Sequence, residues 1–133
     1  MKYLPLLLLL SFSVFANDLT FDPTIEGQTT LTITCEYPIE REDGTSLAIN
    51  EIVKINFFVE KNGAGGWLPA GENTTACQQV YDLSQVPDGV YVYAATAVDT
   101  DGRESQISAT NVIATVKRLA NPNAPASVSG SRS

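Results

Sequence analysis

Apolar and polar residues alternate with a period of two through short runs of this chain, and clusters of Gly, Pro, Asp and Asn close each run. That rhythm predicts half-buried strands, because successive side chains of a strand point to opposite faces of its sheet. In "TTLTITCEY" (29–37), Leu31, Ile33 and Cys35 alternate with Thr30, Thr32, Thr34 and Glu36. "EIVKINFFVEK" (51–61) assigns Val53, Ile55, Phe57 and Val59 to one face, and Lys54, Asn56, Phe58 and Glu60 to the other. "ACQQVYDLS" (76–84) aligns Cys77, Tyr81 and Leu83. "DGVYVYAATAVDTDGRES" (88–105) aligns Tyr91, Tyr93, Ala95 and Ala97, then turns at Asp-Gly. "ATNVIATVKR" (109–118) supplies a last strand. Between them, "PIEREDGTSLAIN" (38–50) reads as a polar loop opened by proline. "NGAGG" (62–66) reads as a hairpin loop leading into a short edge segment around Trp67-Leu68 that ends at Pro69. No long stretch carries helical periodicity, so the expected class is all-β.

The 133 residues bound the answer to one domain. The first sixteen stand apart from it. Lys2 precedes the apolar run "LPLLLLLSFSVF", and Val14-Phe15-Ala16 forms a small-residue cleavage site. Residues 1–16 thus read as a secretory signal peptide, with a retained anchor as the alternative. From Leu119 the composition shifts to Asn, Pro, Ala and Ser, so 119–133 reads as a flexible tail behind a domain at 17–118.

Charge and cysteine content then narrow the partners. Without Lys2 the chain keeps 7 basic against 15 acidic residues, a net charge of −8. Such a surface repels phosphate backbones and anionic lipid heads, which argues against nucleic-acid binding. Two cysteines in an exported chain read first as one disulfide, although sequence alone leaves a free pair open. The chain has no histidine, which removes Ser-His-Asp and Cys-His nucleophiles and His-containing metal sites. No cofactor is expected.

The order of elements resembles bacterial fibronectin type III domains. "PIEREDGTSLAINEI" (38–52) and "VPDGVYVYAATAVDTDGRES" (86–105) carry the likeness, which spans roughly residues 20–118. The resemblance implies a seven-stranded Greek-key β-sandwich, with Tyr91 in the tyrosine-corner position and "DTDG" in the following loop. The family usually carries a core tryptophan in its second strand, where this chain has Cys35. Cys77 falls on the neighbouring strand of the family's three-stranded sheet, so the resemblance implies a Cys35–Cys77 bond in place of the lost aromatic packing. Such a scaffold carries no function by itself.

Two carboxylate groups are candidates for chemistry: Glu40, Glu42 and Asp43 in the proline loop, and Asp99, Asp101 and Glu104 in "DTDGRE". A glycosidase requires such a pair across a cleft, and a small sandwich offers little cleft, so no enzyme is expected. Asp101-Gly102 reads as a turn rather than as half of a calcium loop.

The stronger clue is apolar surface. If Ile55, Phe57 and Val59 face inward, then Phe58 faces out; Val92 and Ala94 face out on the next strand, and Trp67 lies at the same edge. Such a patch marks a partner site, the alternatives being that the loop around Trp67 folds over this face or that it is an ordinary, mildly apolar sheet exterior. The expected function is therefore an exported, non-enzymatic module, periplasmic or extracellular, that binds a protein or envelope component. Phe58, Trp67 and Val92 are the principal contacts, with Glu42 and Asp43 of the 39–46 loop second. The alternatives are a small envelope-disrupting protein, such as a phage lysis accessory, and a structural or adhesion subunit.

Overall fold

The computed structural model describes residues 17–133, so the signal-like segment lies outside the described residues. Seven strands follow in order: β1 (Asp18–Phe21), β2 (Thr30–Thr34), β3 (Ile52–Lys61), β4 (Leu68–Asn73), β5 (Gln78–Asp82), β6 (Gly89–Asp99) and β7 (Val112–Val116). The described residues hold no α-helix, only a single 3₁₀ turn at Ile49–Glu51. None of them forms a helix long and apolar enough to cross a membrane. Residues 119–133 form neither helix nor strand.

The strands build two layers: a five-stranded sheet in the order β1-β7-β6-β3-β4, and a two-stranded sheet of β2 and β5. The described residues thus form a seven-stranded, all-β Greek-key sandwich. Alternation explains the core. Leu31 and Ile33 from β2, with Cys77 and Leu83 flanking β5, meet Ile55, Phe57, Val59, Tyr91, Tyr93, Ala114 and Val116 from the larger sheet in one cluster. Phe57 keeps only 1 % of its surface exposed and anchors the centre. Tyr81 stacks on Tyr93 with ring centroids 4.7 Å apart, and its hydroxyl donates to Ala70 O at 2.8 Å. That bond joins the two sheets, and burial raises the Tyr81 phenol pKa above its ordinary value.

Three features depart from the expected pattern. Val53 is 41 % exposed rather than inward, because the β3–β6 register slips between Ile52 and Lys54 and the parity changes there. The edge segment does not stop at Pro69: β4 continues to Asn73, and Pro69 is tolerated because β4 is an edge strand. The smaller sheet has two strands rather than three. β1 runs parallel to β7 instead of beside β2, with Asp18, Leu19, Thr20 and Phe21 opposite Ile113, Ala114, Thr115 and Val116.

Candidate functional site

The outward face of the five-stranded sheet gathers the apolar candidates. Phe58 lies opposite Ala94 of β6 on one side and Pro69 of β4 on the other. Val92 lies opposite Glu60 and Ile113. Phe58 and Val92 are half-buried, and Ile113 is 36 % exposed. Ala94 also points outward, yet it is buried rather than exposed. Its methyl is too small to project past Phe58 and past the 105–108 segment, which hydrogen-bonds to Ala97 and Ala95. Trp67 precedes β4 by one residue and is 37 % exposed at the rim. Phe58 and Pro69 floor a shallow depression walled by Lys54, Asn56, Glu72 and Glu104. The Lys54–Glu72 ion pair, 3.1 Å, closes one side.

The loops at one end of the sandwich form a second concavity, a cleft of about 550 Å³ between residues 38–47 and 97–105. It brings both carboxylate groups together, which the sequence could not show, because they lie more than fifty positions apart. Asp99 is the keystone. It is 6 % exposed and accepts from Arg41 Nη1 at 2.7 Å and from the backbone N–H groups of Asp101 and Arg103 at 2.9 and 2.8 Å. The Arg41 guanidinium, seconded by those N–H groups, holds its carboxyl far below the usual range. Glu42 accepts from the backbone N–H of Gln106 at 2.8 Å, tying the two loops together. Asp43 caps its own turn, accepting from the N–H and hydroxyl of Thr45. Glu104 accepts from the Thr96 hydroxyl, which lowers its pKa. A glycosidase acid needs a raised pKa, whereas Asp43, Asp99 and Glu104 all move downward. The Arg41–Asp99 pair and the Gln106–Glu42 hydrogen bond tie the two loops to each other. Asp101-Gly102 makes the turn, with Gly102 at φ 83° and its N–H bonded to Asp99 O.

Two devices hold these elements in place. Cys35 and Cys77 are bonded, their Cα atoms 5.1 Å apart, across the end of the β2–β5 pair. Tyr91 Oη donates to Pro87 O at 2.6 Å, four residues upstream, pinning the β5–β6 crossover. The fold is fibronectin type III-like. Its structure is similar to that of a Fn3-like protein from Clostridium thermocellum, with a TM-score of 0.46 and 19 % identity over 77 % of this chain and 88 % of that one. No family model matches the sequence, and no curated protein matches it.

The carboxylates of this Fn3-like domain are expected to make its stability pH-dependent. Asp22, Asp43, Asp82, Asp99 and Glu104 all have depressed pKa values, chiefly through hydrogen bonds from Thr24, Thr45, Ser84, Arg41 and Thr96 respectively. A depressed folded pKa means the unfolded chain binds protons more readily. The stabilisation is whole above the unfolded values of about 4 and is lost as pH falls through the folded ones. The urea midpoint is therefore expected to fall between pH 5 and pH 3, and Asp99→Asn should flatten that acid limb. Equal midpoints at pH 3 and pH 7 would refute this account.

Proposed function

We propose that this protein is an exported, non-enzymatic β-sandwich module that binds a protein or other component of the cell envelope or extracellular space. The observation that carries the reading is the half-buried Phe58 at the floor of its charged-rimmed depression, on the same sheet face as Val92 and Ile113. Phe58, Val92 and the rim residue Trp67 serve as anchors, since a few large apolar groups dominate most interfaces. The 39–46 loop is secondary, because the carboxylates of Glu42 and Asp43 are engaged within the chain. Export is supported by the signal-like residues 1–16 and by the Cys35–Cys77 bond, which suits an oxidising compartment.

The test is recovery of tagged wild type and Phe58→Ser from the periplasm of a Gram-negative host, with quantitative identification of co-purifying material. One stoichiometric component is expected with wild type and is expected to be lost with Phe58→Ser, while both proteins keep the same circular dichroism spectrum. Equal capture by the two proteins would remove Phe58 from the site. Rapid uptake by the cells of a dye that the outer membrane excludes, with lipid recovered on the protein, would replace the binding reading with an envelope-disrupting one.

A further inference from the structure

The departure of β1 to the larger sheet leaves one side of β2 without a neighbour among the described residues. Cys35 N–H donates to Cys77 O at 2.8 Å and Leu83 N–H to Thr29 O at 2.7 Å, so the odd-numbered residues of β2 aim their backbone groups at β5. The N–H and C=O groups of Thr30, Thr32 and Thr34 therefore face the open side, and all three side chains are exposed. An open row of backbone donors and acceptors is a template for another strand, and proteins ordinarily blunt it with charge, proline, glycine or a bulge.

The other edges are blunted. β1 begins with Asp18, and β4 contains Pro69, Gly71 and Glu72. β5 ends on Asp82, and its far side is already used where Asn73 Nδ2 donates to Gln78 O at 2.7 Å. β2 is the edge strand with none of these devices, reading Thr-Leu-Thr-Ile-Thr. The disulfide one residue beyond Thr34 also staples it to β5.

We propose that β2 pairs antiparallel with β2 of a second copy of this chain, about a two-fold axis through Thr32. The segment is self-complementary in that register. Thr30 falls opposite Thr34, Thr32 opposite itself, and Leu31 opposite Ile33, giving threonine pairs outside and aliphatic pairs inside. Glu36 falls opposite Gln28, so no like charges meet although the chain is strongly acidic. The product is a continuous β5-β2-β2-β5 sheet, which leaves the Phe58 face free on both copies.

Analytical ultracentrifugation of the disulfide-bonded protein across a concentration series is expected to show a reversible monomer–dimer equilibrium. Thr32→Glu opposes two carboxylates at the axis and should raise the dimer Kd at least about tenfold, while Thr32→Val and Phe58→Ser leave it unchanged. Hydrogen exchange at high concentration should protect the Thr30, Thr32 and Thr34 amides, and dilution should expose them. A monomer at every concentration overturns the proposal. So does a dimer that survives Thr32→Glu in a folded variant, or one abolished by Phe58→Ser.

Discussion

Replacing both cysteines, Cys35→Ala with Cys77→Ala, is expected to lower the free energy of unfolding by about 4 kcal/mol. The bond spans 42 positions of sequence, so its chief effect is on the unfolded chain, whose loop-closure entropy it removes. The native state adds a reason for sensitivity. β2 and β5 form a sheet of only two strands, and such a pair is marginal unless its inner face is held against another layer. The inner side chains Leu31 and Ile33 are the cover for Phe57 and its neighbours, so fraying of that pair uncovers the core. A domain of this size has about 5–15 kcal/mol in total, so the loss is a large fraction of it. Urea unfolding of wild type and of the double variant measures it. A difference under about 1 kcal/mol would mean that the unfolded chain already keeps this loop closed.

Phe57→Ala should cost about 3–5 kcal/mol, whereas Phe58→Ala one residue away should cost about 1 kcal/mol or less. Phe57 is enclosed between both sheets, and truncating it leaves a cavity in the centre of the core. Phe58 is on the opposite face and only half-buried, so its loss exposes little that water cannot already reach. The two variants are expected to give opposite readouts: Phe57→Ala shifting the denaturation midpoint, and Phe58→Ala, on the binding reading proposed above, shifting partner capture. Equal destabilisation by both would mean that the outward face is covered in solution, against the binding reading above.

The same pair of residues shows how far the sequence carries the fold. "NFFVE" places two adjacent aromatics on opposite faces, and the pleat alone dictates that one is core and the other surface. Tyr91 was legible through the resemblance to fibronectin type III domains, which implied the tyrosine-corner position that its hydroxyl takes up against Pro87 O. Val53 was not, because a register slip is a compromise between two paired strands and leaves no mark in either. The Asp99 cluster was only half readable. Its acidic residues stand out, but their role depends on Arg41, which reaches them from 58 positions away.

What the sequence determined by itself is local: the strand class, the turns at Asp-Gly, and the inward set Leu31, Ile33, Ile55, Phe57, Tyr91 and Tyr93. These follow from the two-residue period and turn chemistry, which need no partner to act. What only the tertiary structure decided is who neighbours whom. "DLTF" has the alternation of an edge strand and nothing that selects β7 over β2. The tertiary pairing of β1 with β7 makes that choice. It converts β2 from an interior strand into an open edge, and brings the 38–47 and 97–105 loops together around one buried carboxylate.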